Sequence, residues 1–380
     1  MRILYFSRDY TTHDRRFLLK FAESPHEVFF LRLENDGIPY EKRLTPERVQ
    51  VVDWPGGQRP AKTIESWLEL MPSFEAVLDK IRPDLVHAGP VQSCGFMTAL
   101  ANFHPFLVMS WGSDILVEAD RDEGWRWITR YTLEHSDMLL CDSQAVRKKV
   151  QQLVSYPDEQ IVQFPWGIDL RKFSLGAGPK SQRPLGWDNN FVVLSTRSWE
   201  QIYGIDALLA AFHRAHTENS DLRLILLGTG SLAPTIQQFI VNYNLQDVVQ
   251  QPGMVLHEQL PDYFRAADLY LTCAYSDGAS ISLLEAMATG LPVVVTDNPG
   301  NREWVTPGEN GWLAPPGDSG AFAVSILHSA DLSSSERQRI SANNRRLAEK
   351  RANWDINFAK LLAGYDWIER CTQDRECQAS

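Results

Sequence analysis

The sequence contains little that would indicate a secreted, membrane-spanning or nucleic-acid-binding protein. Its 380 residues include five cysteines with no CxxC pair, which predicts no disulfide framework and favours a reducing compartment. No stretch approaches the ~18 apolar residues of a membrane helix, and the apolar run at the start is too short for a signal peptide. Lys and Arg number 37 against 48 Asp and Glu, a net charge of −11 without an obvious basic patch, which argues against nucleic acid as a partner. We therefore expect a cytoplasmic protein, with peripheral contact at the inner membrane surface left open.

Three common catalytic signatures are also absent. The chain has no GxxxxGK[ST], HExxH or GxSxG string, which argues against a P-loop enzyme, a zinc protease and a serine hydrolase of the usual kinds. One dinucleotide-like string, GTGSLA, starts at Gly228, but the strand predicted after it ends without the acid that would bind a ribose. We therefore expect Gly228 to allow close backbone approach to a ligand, in a protein that does not bind NAD.

Short β-branched runs alternate with amphipathic stretches along most of the chain. This alternation predicts parallel sheets with helices on both faces. Predicted strands fall at 2–6, 27–33, 49–52, 84–88, 106–110, 137–141 and 161–164, then at 191–195, 222–227, 248–251, 268–272 and 292–296. Everything from residue 333 onward is predicted to be helical. The α/β organisation is therefore two doubly wound Rossmann-like domains facing across a cleft, at 1–173 and 191–353, joined by a Gly- and Pro-rich linker at 174–190. The last segment, 354–380, is predicted to be a helix that crosses back to the first domain.

Residues 275–297, YSDGASISLLEAMATGLPVVVTD, carry the most specific pattern. They predict a strand end, a tight loop, a short helix capped by Ser280, a stop at Gly290 and the next strand. The helix N-terminus suits a diphosphate, because its N–H groups are free and the helix dipole is positive there. Glu285 follows about 7–8 Å along the axis, where its carboxylate can accept both hydroxyls of a ribose. Asp277 precedes the helix and can accept hydroxyls of a sugar.

This segment resembles the donor site of the family 4 retaining glycosyltransferases of the GT-B fold, whose motif is a carboxylate, seven residues and a glutamate. Other strings are similar to motifs of the same family. They are FPWGID at 164–169 with Phe173, WGSD at 111–114, HEQLP at 257–261, AAD at 266–268, NGWL at 310–313 and PGD at 316–318.

The resemblance implies roles for individual residues. Arg197 would stabilise the leaving diphosphate and Asp277 would hold donor-sugar hydroxyls, which makes these two the expected catalytic residues. Glu285 would bind the nucleotide ribose. Further donor contacts are expected from Gly278, Ala279, Ser280, Ile281, Tyr203, Gly228, Trp111 and Asp114.

Two positions depart from the family pattern. Tyr203 stands where the family has a lysine, and a phenol brings no positive charge at neutral pH. Trp111 stands where the family often has a histidine. The glycine-rich first loop of many relatives is also absent, and His13 and Arg16 lie in that region as candidate acceptor or phosphate contacts.

The resemblance implies transfer of a sugar from a nucleotide-diphosphate sugar to an acceptor hydroxyl with anomeric retention, without a metal or another cofactor. The acceptor would be a sugar, a lipid-linked glycan or a small molecule. Two alternatives stay open because of the departures at Tyr203 and Trp111: a nucleotide-sugar binding protein with weakened catalysis, and a GT-B epimerase that acts on a nucleotide sugar.

Overall fold

The chain forms two compact units. The computed structural model describes residues 1–37, 40–175 and 182–379, and the side chains up to Cys371. Unit 1 comprises Met1–Phe164 and Phe358–Ser380, and unit 2 comprises Pro165–Asn357. Unit 1 is therefore built from two separate stretches of the chain.

Unit 1 contains a seven-stranded sheet whose strand pairs are all parallel. The strand order is β3-β2-β1-β4-β5-β6-β7. Its strands are β1 (Arg2–Ser7), β2 (Glu27–Arg32), β3 (Val49–Val51), β4 (Leu85–Gly89), β5 (Phe106–Met109), β6 (Met138–Cys141) and β7 (Ile161–Gln163). Its helices are α1 (Thr12–Glu23), α2 (Ile64–Ile81), α3 (Phe96–Leu100), α4 (Ser113–Leu116), α5 (Glu123–Glu134) and α6 (Gln144–Leu153). The central strands are almost wholly buried, as expected where helices cover both faces of a parallel sheet, and the edge strands β3 and β7 are more exposed.

Unit 2 repeats this plan with six parallel strands in the order β10-β9-β8-β11-β12-β13. Its strands are β8 (Phe191–Ser195), β9 (Leu222–Leu227), β10 (Val249–Gly253), β11 (Leu269–Thr272), β12 (Val293–Thr296) and β13 (Gly311–Ala314). Its helices are α7 (Ile205–Glu218), α8 (Ala233–Asn242), α9 (Leu260–Ala266), α10 (Ile281–Ala288), α11 (Pro299–Arg302), α12 (Ser319–Ala330) and α13 (Ser334–Arg351). In each sheet the order reverses beside the first strand, and ligands of doubly wound sheets bind at the carboxyl ends of the strands near such a point.

The last helix, α14 (Trp354–Ala379), begins in unit 2 and continues in unit 1. Tyr365 lies on this helix, fully buried, with its hydroxyl 2.5 Å from Nδ1 of His87 on β4. Its ring stacks on Phe21 of α1 at 5.9 Å. A buried polar contact and an aromatic contact therefore hold α14 to both the sheet and a helix of unit 1.

The predicted alternation of strands and helices is confirmed, with two differences. The strand β13 was not predicted, because the Gly-Trp-Leu-Ala of residues 311–314 has no β-branched residue and forms an edge of the sheet. Residues 165–173, expected in the first domain, belong to unit 2. The reason is a set of backbone hydrogen bonds: Ile168 donates to the carbonyl of Ala352 at 2.7 Å, and Trp354 donates back to Ile168.

The predicted linker at 174–190 falls partly on residues 176–181, which lie outside the described residues. Among the helices of the described chain, none combines the length and the apolar character needed to cross a membrane.

Candidate functional site

The candidate site of unit 2 is built around the loop from β11 to α10. The helix begins at Ile281 after Ser280 at the N-cap, and Gly290, with φ of +78°, ends it. The first N–H groups of any helix lack intrahelical partners, so the start of α10 offers amides and the positive end of the dipole to an anion. Gly278 and Ala279 are buried in the preceding loop. The predicted capping residue is confirmed in position, although the hydroxyl of Ser280 makes no capping hydrogen bond.

An ion pair between Arg197 and Asp277 lies at this helix start. Nη2 of Arg197 donates to Oδ1 of Asp277 at 2.7 Å, and the two side chains are only 12% and 10% exposed. Burial raises the pKa of Asp277 above its ordinary value, and Arg197 opposes that shift. Burial alone would lower the pKa of Arg197, but the charge of Asp277 and the nearby tyrosines Tyr203 and Tyr270 hold it above its usual range. Oδ2 of Asp277 is buried and accepts no hydrogen bond from the described residues.

Two hydroxyl groups and an aromatic ring fix the orientation of Arg197. Nη1 donates to Oγ of Ser280 at 2.7 Å and to Oγ of Ser282 at 3.3 Å, and Ser282 in turn accepts from the hydroxyl of Tyr270 at 2.7 Å. The Arg197 Cζ lies 4.2 Å from the centre of the Tyr203 ring. Tyr203 therefore contacts the arginine by a cation–π interaction. A guanidinium has five N–H donors, so Arg197 keeps donors for a further anion.

Glu285 lies one and a half turns further along α10. It is 3% exposed, and its Oε1 is 3.2 Å from Nε2 of His257, in the connection between β10 and α9. The His257 ring meets the edge of Phe173 at 5.6 Å. The motif strings at 257–261 and 164–173 contain His257 and Phe173, but sequence reasoning assigned neither a site role. The contact of His257 with Glu285, and that of Phe173 with His257, depend on how distant segments come together.

Gly228 packs against the segment that carries Arg197, and its expected contact with a ligand stays a prediction. Its N–H donates to the carbonyl of Gly253 at 2.9 Å, so this amide is not available to a phosphate. Its φ is +112°, and a Cβ there would lie 2.5 Å from the carbonyl oxygen of Arg197. The glycine therefore lets the segment that carries Arg197 pack closely on the next loop.

The start of α11, which the sequence analysis did not single out, packs against the loop between β11 and α10. Asn298 caps α11 and its side-chain amide contacts the carbonyl of Ala274 at 3.4 Å. A Cβ on Gly300 would collide with the carbonyl oxygens of Asp277 and Gly278. The string NPGN at 298–301 was the available signal, since Asn-Pro favours turn initiation.

The predicted residues Trp111, Asp114, His13 and Arg16 lie in unit 1. Oδ1 of Asp114 accepts hydrogen bonds from the Ser110 hydroxyl at 2.6 Å and from its neighbouring amide, that of Ile115. Its Oδ2 accepts from the amides of Val91 and Trp111, both at 3.2 Å. Burial raises the pKa of Asp114, and these donors oppose the shift. Asp114 therefore holds its own loop together, and its expected contact with a donor stays untested.

The aromatic rings near the start of α1 form a group in unit 1. The rings of His13 and Trp111 lie 5.9 Å apart, and Phe17 meets Trp111 edge-on at 6.3 Å. Arg16, half-buried, precedes Phe17 on the same helix. The structure thus places His13 beside Trp111, as neighbours on one side of unit 1.

The described residues contain no group of three or more His, Cys, Asp or Glu side chains that could hold a metal ion. The positive charge at the candidate site of unit 2 comes from Arg197 and the start of α10.

Two Rossmann-like units of this topology define the GT-B class, and comparison with known proteins agrees. Residues 179–347 match the family model described as glycosyl transferases group 1, and residues 2–143 match the model described as glycosyl transferase 4-like. The two models together cover most of the chain, which belongs to the GT-B glycosyltransferases.

Three individual relatives share 30% or less of their aligned residues with this chain. The chain is 30% identical over 177 residues to the amylovoran biosynthesis glycosyltransferase AmsK of Erwinia amylovora, a match that covers 45% of this chain and 42% of that relative. The chain thus spans less than half of this relative. Its structure is similar to sucrose-phosphate synthase from Thermosynechococcus elongatus, with a TM-score of 0.81, 20% identity and coverage of 98% and 100% of the two chains. It is also similar to Anabaena HepE in complex with UDP-glucose, with a TM-score of 0.78, 20% identity and the same coverage. At 20% identity, the similarity to these two structures is evidence for the fold alone.

Proposed function

We propose that the protein is a retaining glycosyltransferase that moves a sugar from a nucleotide-diphosphate sugar to an acceptor hydroxyl. The observation that carries the proposal is the arrangement at α10. Arg197 and Asp277 form a buried pair at its start, and the carboxylate of Glu285 is buried about 7–8 Å further along the axis. This order matches the sequence of sugar, diphosphate and ribose in an extended donor.

Each group has a role in this proposal. The start of α10 binds the diphosphate, Glu285 binds the ribose, and Oδ2 of Asp277 accepts a hydroxyl of the transferred sugar. Negative charge builds on the diphosphate as the glycosidic bond breaks, and Arg197 is oriented in advance to stabilise it. A preorganised charged donor of this kind contributes about 3–4 kcal/mol to the transition state.

Different observations support the donor, the acceptor and the mechanism. The complex of Anabaena HepE with UDP-glucose supports a nucleotide sugar as donor, and the similarity to AmsK, a glycosyltransferase of amylovoran biosynthesis, supports an acceptor in glycan synthesis. Retention of anomeric configuration and independence from metal rest on the resemblance of residues 277–285 to the family motif. An acceptor carried on a lipid would bring the protein to the membrane surface.

Substitution of Arg197 tests the proposal. In assays with UDP-, GDP- and ADP-sugars, we expect the wild-type protein to release nucleotide and transfer sugar, at a rate that EDTA does not change. Arg197→Ala should lower kcat by about 10²–10³-fold, because charge on the leaving group is no longer stabilised. Arg197→Lys, the matched control, keeps the charge and should recover part of the rate. Wild-type turnover by Arg197→Ala would overturn the site assignment, and the anomeric proton in the NMR spectrum of the product tests retention.

Tyr203 motivates a second candidate, a nucleotide-sugar binding protein with weakened catalysis. Its ring covers a face of Arg197 and adds no second positive charge. Tight nucleotide-sugar binding without nucleotide release or transfer would favour this candidate. Conversion of the donor sugar in the absence of acceptor would instead indicate an epimerase.

A further inference from the structure

The hydrogen bond between His257 and Glu285 joins two segments far apart in the chain. Because a carboxylate can only accept, Nε2–H of His257 is the donor to Oε1 at 3.2 Å. The Glu285 side chain is 4% exposed and that of His257 is 19% exposed. A carboxylate buried to this extent needs a donor, because an unpaired buried charge is strongly unfavourable.

The histidine ring is itself held in place. Phe173 is fully buried and meets the His257 ring edge-on at 5.6 Å. Arg345 of α13 donates to the carbonyl of Phe173 at 2.7 Å and to that of Ala288, the last residue of α10, at 3.0 Å. The same arginine thus fixes the backbone behind the histidine and the end of the helix that carries Glu285.

This arrangement determines which way the carboxylate faces. His257 occupies one lone-pair direction of Oε1, and no described residue donates to Oε2. One lone pair of Oε1 and both of Oε2 are left for a ligand, since each carboxylate oxygen has two. Two neighbouring hydroxyls, one to each oxygen, fit the acceptors that remain.

We propose that His257 is a positioning residue that orients Glu285 to accept both hydroxyls of a ribose, and that it thereby sets the preference for ribonucleotides over deoxyribonucleotides. This inference rests on the proposed function, because it assumes a nucleotide at α10. A histidine that only stabilised the fold would not distinguish ligands that differ in the ribose hydroxyls.

Binding measurements with two variants and two ligands test whether His257 acts on the recognition of the ribose hydroxyls. Binding of UDP, GDP and ADP is measured by calorimetry, and the tightest of them is compared with its 2′,3′-dideoxy counterpart. The variants are His257→Leu, which removes the donor, and His257→Gln, whose amide reaches a similar position. His213→Leu is the matched control, because His213 is a half-buried histidine on α7 whose ring contacts Tyr243 and not the site.

We expect His257→Leu to weaken the ribonucleotide by about tenfold, which corresponds to about 1.4 kcal/mol, and to leave binding of the dideoxy ligand unchanged. His257→Gln should recover most of the loss, and His213→Leu should bind both ligands like the wild type. If His257→Leu lost the same affinity for both ligands, the positioning role would be overturned. If His257→Leu does not fold, the same comparison is made with His257→Gln. A wild-type protein that binds no nucleotide would overturn the proposed function as well.

Discussion

Arg197 has an unusually complete set of neighbours for a residue expected to contact a substrate. A carboxylate, two hydroxyls and an aromatic face surround it. Such contacts restrict the side chain before any ligand binds, so that little reorganisation is needed when charge develops. Tyr203 therefore supplies a contact that orients the charge of Arg197.

Substitution of Tyr203 separates its ring from its hydroxyl. We expect Tyr203→Leu to lower kcat by about 5- to 30-fold, because a desolvated cation–π contact contributes about 1–2 kcal/mol. Tyr203→Phe keeps the ring and should retain the wild-type rate. Initial rates at saturating donor measure both. If Tyr203→Phe loses as much activity as Tyr203→Leu, the hydroxyl matters and not the stacking.

The sequence predicted the relative positions of those candidate residues that lie close together in the chain. Asp277, Ser280 and Glu285 follow one another along a strand, loop and helix, so their order in space follows from their spacing. His257 could not be assigned in this way, because its contact with Glu285 joins residues 28 positions apart. The hydrogen bond of Gly228 could not be predicted for a related reason: its amide donates to a neighbouring strand, which its own string does not reveal.

At the scale of elements, the loop before α10 depends on the start of α11. Gly300 lies directly against the carbonyls of Asp277 and Gly278. It has no positive φ, so an alanine is tolerated by its own backbone and only the collision with the loop matters. The packing of this short helix therefore controls the position of the Asp277 carboxylate.

We expect Gly300→Ala to weaken nucleotide-sugar binding by about tenfold or more, because overpacking of about 1–3 kcal/mol falls on the loop. Gly320→Ala is the matched control, since a Cβ at Gly320 meets only side-chain atoms, the nearest at 3.3 Å. Calorimetric titration with UDP-glucose compares the two variants. Wild-type affinity in Gly300→Ala would mean that the loop adjusts without consequence for the site.

Helix α13 stabilises unit 2 through Arg345. This side chain donates to the carbonyls of Phe173, Ala288 and Leu170. Arg345→Met should lower the free energy of unfolding by about 2–3 kcal/mol, because each carbonyl loses a bond of about 1 kcal/mol. The exposed neighbour Arg346, which donates to the side chain of Asn343, gives the control Arg346→Met with an expected change within about 0.5 kcal/mol. Urea denaturation measures both, and equal stabilities would contradict this role of Arg345.

The fold could be predicted largely because parallel strands buried on both faces have a plain signature of β-branched and aromatic residues. Every predicted strand is present. The edge strand β13 lacks that signature, and its pairing with β12 decides its structure. The segment 165–173 could not be placed, because its partners lie near residue 352, far along the chain.

At the scale of the whole molecule, the chain returns to unit 1 through α14. The contact between Tyr365 and His87 is buried in an aromatic group with Phe17 and Phe21. Burial lowers the pKa of His87 to about 3 from an ordinary value of 6.5. Since the folded form holds the imidazole neutral, its contribution to stability is complete above pH 6.5 and is lost as the pH falls toward 3.

Unfolding free energies at two pH values test this linkage. Between pH 7 and pH 5, His87 should remove about 2 kcal/mol of stability, the free-energy difference that follows from its lowered pKa. The double variant His87→Phe, Tyr365→Phe replaces both polar partners with rings, so no buried group is left unpaired. We expect its stability to fall by about 2 kcal/mol less over this interval than that of the wild type. An identical fall in both proteins would show that His87 does not titrate in this way.

The division of unit 1 into two stretches has a consequence for synthesis on the ribosome. Residues 1–164 emerge first, yet the helix that covers Phe21 and His87 is translated only after all of unit 2. Domains generally fold as they emerge, so unit 2 can reach its native state while unit 1 still exposes an aromatic surface. We therefore expect chaperones to bind the exposed aromatic surface of a nascent chain that is paused before residue 358, although most of unit 1 has been translated by then.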